Sequence, residues 1–71
     1  MVKEVLNASE TADYLGLGDA TTLRMLDEGE IPATRFNREW KVPLRTLRSW
    51  LEDRAIRDAQ ERRKAHESEG D

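Results

Sequence analysis

A short link, Gly16-Leu17-Gly18-Asp19, joins two short stretches with helical spacing, and it limits the folds open to this chain more than any other feature. Upstream, Asn7 is a good N-cap. Glu10 stands three residues on, where its carboxylate can return to the cap's own N–H. Ala8, Thr11, Ala12 and Leu15 then recur at helical spacing and form one face. Gly16 follows as a C′ glycine, so the first helix is predicted over Ala8 to Leu15. Downstream, Gly18 or Asp19 caps a second helix, which Gly29 ends and Pro32 keeps from restarting. Thr22, Met25 and Leu26 make its inward stripe. Ala20, Thr21 and Arg24 fall opposite, and Leu23 falls between the two faces.

Two helices joined so tightly cannot lie parallel. A short glycine-containing turn between them is the signature of a helix-turn-helix, the alternative being a plain helical hairpin without a partner. The small Ala12 permits close approach of the second helix, and Gly16 supplies the left-handed backbone of the turn.

The segment "ATRFNREWKV" is rich in strand formers, with Asn37-Arg38 able to make a tight turn. By parity along the sequence, Phe36, Trp40 and Val42 share one face. Arg35 and Lys41 share the other, and Arg38 sits at the tip. An isolated hairpin is marginal in water, so this one must lean on the core. A longer third helix begins with Pro43 in its first turn. Its apolar face, Leu44, Leu47, Trp50 and Leu51, fades past Leu51 into charge ladders such as Arg54–Asp58–Arg62. That helix is expected to leave the core near Leu51 and fray by about Lys64. The division is thus a folded domain over residues 1–51, a charged extension over 52–66 and a disordered acidic tail over 67–71. The fold class is mainly α with a small β-hairpin, in the order α-α-β-β-α.

Seventy-one residues make one domain with one thin core. No cysteine is present, so a disulfide framework is excluded. The single histidine, His66, has no second ligand beside it, and no metal or other cofactor is expected. No apolar run approaches the about 20 residues that span a bilayer, and the first ten residues lack the apolar core of a signal peptide. The expectation is a cytoplasmic protein. Nucleophile–base pairs and phosphate-cradling glycine loops are missing, which argues against an enzyme and against a small-molecule ligand.

Net charge is −3, but it is polarised. Residues 1–31 carry Lys3 and Arg24 against seven acids. Residues 32–64 carry ten basic residues against five acids. An acidic protein polarised in this way can still present a basic face to a polyanion. From Thr34 to Trp50 there are five basic residues, Arg35, Arg38, Lys41, Arg45 and Arg48, and one acid, Glu39. Phosphate contacts of that kind supply most non-specific affinity for nucleic acid. Arg24, the only basic residue of the second helix, can bond a guanine edge or pair with Asp27 or Glu28. Trp40, Trp50 and Phe36 are read as core. The cations Arg62, Arg63 and Lys64 are read as a solvated helix end without a partner, or as a docking point for a partner protein, rather than as a DNA contact.

The run "YLGLGDATTLRMLDEGEIPATRFNREWKVPLRTLRSWL" resembles the excisionase-type, MerR-like winged helix-turn-helix domains. The landmarks are Tyr14-Leu15-Gly16, Glu28-Gly29-Glu30-Ile31-Pro32, Arg38 with Trp40, and Trp50-Leu51, covering about Leu6 to Leu51. The chain has Asp19, Leu23, Asp27 and Asn37 where the family more often has a polar or basic residue, an aromatic, a basic residue and glycine. The resemblance implies binding to double-stranded DNA, with the second helix in the major groove and the wing on the adjacent minor groove or backbone. It makes Thr21 and Arg24 contacts from the recognition helix and Arg38 the wing-tip contact.

The DNA-binding set expected is therefore Thr21, Arg24, Arg35, Arg38, Lys41, Arg45 and Arg48. The first reading of function is an excisionase-like recombination directionality factor that binds and bends DNA, as several copies on neighbouring sites, and assists an integrase. The alternatives are a small MerR-like transcription regulator and a protein-interaction module on a helix-turn-helix scaffold without DNA binding, the last favoured by Asp19, Asp27 and Glu28.

Overall fold

The computed structural model describes residues 3–69. The elements run β1 (Val5–Leu6), α1 (Ala8–Leu15), α2 (Asp19–Asp27), β2 (Thr34–Phe36), β3 (Glu39–Pro43) and α3 (Leu44–Glu69).

Local chemistry sets both ends of α1. The Asn7 side chain accepts from the Glu10 amide at 2.8 Å, and the Glu10 carboxylate accepts from the Asn7 amide at 2.9 Å. That reciprocal pair satisfies two of the donors a helix start leaves open. At the other end Gly16 is left-handed (φ 70°), and the amides of Gly16 and Leu17 return to the carbonyls of Asp13 and Ala12. The same Schellman arrangement closes α2. Gly29 has φ 80°, and the amides of Gly29 and Glu30 return to Leu26 and Met25. At both helix ends the left-handed position is taken by glycine, which adopts it without a Cβ penalty.

Thr11 and Thr22 are fully buried, although both are polar. Each hydroxyl donates to the carbonyl four residues earlier, Asn7 at 2.8 Å and Gly18 at 3.0 Å. The threonines therefore fill the interior without leaving an unpaired donor. Around them Leu6, Leu26, Ile31, Val42 and Leu47 form the core, with Met25, Trp40, Leu44 and Trp50 packed against it.

The strands form one antiparallel sheet in the order β1-β3-β2. Sequence reading gave two strands, and β1 is the addition. Val5 pairs with Pro43 and Leu6 with Val42. A two-residue strand shows no alternation to detect. Its partner lies more than thirty positions away. Pro43 closes β3 instead of opening the third helix, and the first α3 amide, Leu44, donates to the Glu4 carbonyl at 2.8 Å. The Glu4 carbonyl thus satisfies one of the donors that the start of α3 leaves open.

The wing turn is a two-residue loop with Asn37 at φ 48° and Arg38 at φ 69°. Positive φ at both central residues is the type I′ pattern, whose twist matches the flanking strands. Its register corrects the expected division of faces. Arg35 lies across from Trp40, Phe36 from Glu39 and Thr34 from Lys41. Arg35 therefore shares the inner face with Trp40 and Val42. Phe36 shares the outer face with Lys41 and is 61% exposed, so it is not core. In this hairpin each cross-strand pair sums to an odd number, so parity reverses between the strands.

Leu47 is fully buried, while Leu51 is partly exposed and Ile56 more so. Beyond Leu51 the helix α3 leaves the core as an arm. The long axis is 53 Å, and the radius of gyration is 15.0 Å, against about 11 Å for a compact chain of this length. The helix continues through residues 67–69, where the sequence suggests a disordered tail; residues 70–71 lie outside the described residues. Arg54 stabilises the arm's base, stacking over Trp50 at 5.4 Å and facing Asp58 at 3.9 Å. Two helices in a tight turn, a three-stranded sheet ending in a hairpin and a third helix make a winged helix-turn-helix.

Candidate nucleic-acid interface

The inward side of α2 is set by Thr22, Met25 and Leu26. Its opposite side presents Ala20, Leu23, Arg24 and Asp27 at i, i+3, i+4 and i+7, all exposed. Thr21 is exposed on the flank of that stripe away from Leu23. Among the described residues no carboxylate stands within ion-pairing distance of the Arg24 guanidinium. Arg24 therefore keeps its donors free, and the intrahelical pairing with Asp27 or Glu28 is not formed.

Leu23 faces a groove between α2 and the wing. Its walls include Ala8 and Ser9 from the start of α1 and Arg38 and Lys41 from the hairpin. Arg38, at the turn, is exposed. Lys41 bonds the Glu39 carboxylate at 3.1 Å on the outer face. Exposed pairs of this kind are worth about 0–1 kcal/mol, so a phosphate can displace the carboxylate at small cost.

Lys3, just before β1, borders this groove and also the neighbouring depression formed by Val5, Pro43, Arg45 and Arg48. The structure thereby joins Arg38, Lys41, Lys3, Arg45 and Arg48 into one band. It runs from the wing tip across the outer sheet face to the start of α3. Sequence reasoning missed Lys3 because it belongs to the acidic segment over residues 1–31. Only the pairing of β1 with β3 brings it beside Lys41 and Arg45. Arg35 is not in the band. Its guanidinium stacks over the Trp40 ring at 5.2 Å.

Two carboxylates interrupt the cations. Glu39 pairs with Lys41, and Glu10 pairs with Lys3. The hydrogen bond from Lys3 and then the Asn7 amide hold the Glu10 carboxyl below the usual carboxylate range. Glu10 thus stays charged and ties Lys3 to the α1 start. Asp19 and Asp27, at either end of α2, add negative charge along its exposed side. Among the described residues no His, Asp and Glu cluster is placed to hold a metal ion, and no helix is long and apolar enough to cross a membrane.

A short helix pair with an exposed second helix, beside a wing that carries an arginine at its tip, defines a helix-turn-helix module of the winged class. The chain matches the helix-turn-helix domain family over residues 5–55, well over half of its 71 residues, and belongs to that family. No individual characterised protein and no solved structure matches it. Membership supports DNA as a partner of the chain, in a family whose domains are typically non-enzymatic DNA-binding modules.

Proposed function

We propose that the protein is an excisionase-like recombination directionality factor, which binds and bends double-stranded DNA at neighbouring sites and assists an integrase. In this reading α2 enters the major groove, with Arg24 and Thr21 at base edges or nearby phosphates. The wing places Arg38 on the adjacent minor groove or backbone. Lys41, Lys3, Arg45 and Arg48 follow the phosphates. The observation that carries it is the continuity of the basic band with the groove beside α2. Arg35, engaged with Trp40, takes a smaller part than sequence spacing implied.

The excision role draws its support from the resemblance of the Glu28–Pro32 and Trp50-Leu51 landmarks to excisionase-type domains, and from the α3 arm. Arg57, Arg62, Arg63 and Lys64 stand exposed on that arm, clear of the core, where an integrase or a neighbouring copy could grip them. The primary test is an affinity titration against salt. Five phosphate-neutralising cations give a slope of about −4.5 in log affinity against log salt. An affinity flat in salt sinks the reading. A circular-permutation gel assay for bending, together with an excision assay using the integrase encoded nearest the gene, then tests the recombination role. Binding without bending or stimulated excision favours the second reading, a small transcription regulator. The acids Asp19, Asp27 and Glu28 on exposed positions of α2 favour a third, a protein-interaction module. Intact function in Arg24→Ala combined with Arg38→Ala would select it.

A further inference from the structure

The proposed set of DNA contacts contains only polar and charged groups. Exposed apolar side chains sit among them, Val5 and Phe36 on the sheet and Leu23 on α2, and of these only Leu23 lies on the helix proposed to enter the major groove. Leu23 is 46% exposed, lies on the outward stripe of α2 next to Arg24, and opens into the groove whose far wall carries Arg38 and Lys41. It makes no part of the core cluster, and Thr22, Met25 and Leu26 already fill the inward side of its helix. Its immediate neighbours are Ala8, Ser9 and Asp19, so the apolar surface here is small, and the wider groove it opens into carries Lys3, Arg38 and Lys41, two of them paired with Glu10 and Glu39. That combination fits a polyanion with one apolar feature.

We infer that Leu23 is a sequence-selecting contact that reads the C5-methyl group of a thymine in the major groove. The inference rests on the DNA-binding reading above and adds a residue and a base to it. The chemistry is selective because leucine offers no donor or acceptor. Against guanine O6 and N7, or the cytosine amino group, it would strip water from a polar edge and return nothing. Against thymine it meets the one apolar group that the major-groove edges of the bases present. The cations at both borders, Arg24 and Arg38, position the duplex by its guanine edges and phosphates, which leaves Leu23 facing the base between them.

The test uses the full chain and duplexes selected from a random pool for tight binding. Each thymine of the selected site is replaced in turn by deoxyuridine, which removes only the methyl group. Affinity is read by fluorescence anisotropy at one fixed salt concentration. At one thymine the replacement is expected to weaken binding about fourfold, the effect of exposing one buried methyl-sized group. In Leu23→Ala the same replacement should cost little, while the salt dependence stays as in the parent chain. Equal costs in the parent and in Leu23→Ala, or a selected site in which no thymine is sensitive, overturn the inference and leave DNA binding standing. Salt-dependent binding without any selected sequence does the same. A chain that binds no duplex even at low salt overturns the DNA-binding reading itself, and this one with it. Leu23 is exposed and outside the core, so circular dichroism of Leu23→Ala should match the parent.

Discussion

Arg35 and Trp40 face each other directly across the β2–β3 ladder, with the guanidinium 5.2 Å from the ring centre. One basic residue of the wing therefore belongs to the hairpin's own packing. The charge stacks on the indole face while Trp40 leans on the core, so the wing is held by an arginine as well as by backbone pairing.

Arg35→Ala should lower stability by about 0.5–1 kcal/mol, the worth of a partly exposed cation–π contact. Urea unfolding followed by tryptophan fluorescence measures it. DNA affinity should fall less than in Arg38→Ala. Equal losses of affinity in the two variants would place Arg35 on phosphate after all.

Arg38 carries a different conflict. It adopts φ 69°, a conformation that costs a non-glycine residue on the order of 1 kcal/mol. Arg38→Gly should therefore raise stability by about that amount while lowering DNA affinity and reducing the salt slope by about 1. A variant that loses stability as well would contradict the reading of the turn.

Leu47 is fully buried in a core of five large apolar side chains. Leu47→Ala should cost about 2–5 kcal/mol. A domain of this length holds on the order of 4–10 kcal/mol in all. Thermal unfolding should show a large drop in midpoint or no transition. Leu51→Ala, at a partly exposed position where α3 leaves the core, should cost clearly less.

The Glu10 cap sets a pH dependence. Its folded-state pKa lies below the ordinary value of 4.5, so the unfolded chain binds more protons in the window between the two. The cap's electrostatic contribution is complete above about pH 4.5 and is lost as pH falls through the depressed value. Glu10→Gln keeps an acceptor for the Asn7 amide but removes that titration. Melting temperature measured from neutral pH downward should converge between the parent chain and Glu10→Gln at low pH, with the parent more stable at neutral pH. A constant difference at every pH would show that the charge is irrelevant to the cap.

The helices of the first half were legible because their signals are local. Asn7 with Glu10, Gly16 and Gly29 act within a few positions of the groups they satisfy, and α1 runs over the predicted residues. The Asn37-Arg38 turn was legible for the same reason. Among the candidate site residues, the outward positions of Thr21, Arg24 and Arg38 followed from helical spacing and turn placement. Lys41 also lies on the face opposite Trp40 and Val42, as its parity implies, but the sides taken by Arg35 and Phe36 did not follow. They depend on which residues pair across the ladder, and parity along one strand says nothing about its partner.

The chain's own order of residues determined where helices start and stop, where the wing turns and that a helix-turn-helix results, because caps and turns are closed by neighbours in sequence. Tertiary structure alone decided that β1 joins the sheet, that Lys3 completes a basic band with Lys41, Arg45 and Arg48, and that Leu23 opens toward the wing. Those outcomes come from contacts between segments far apart in sequence, which are fixed only when the sheet register and the shared core bring the segments together.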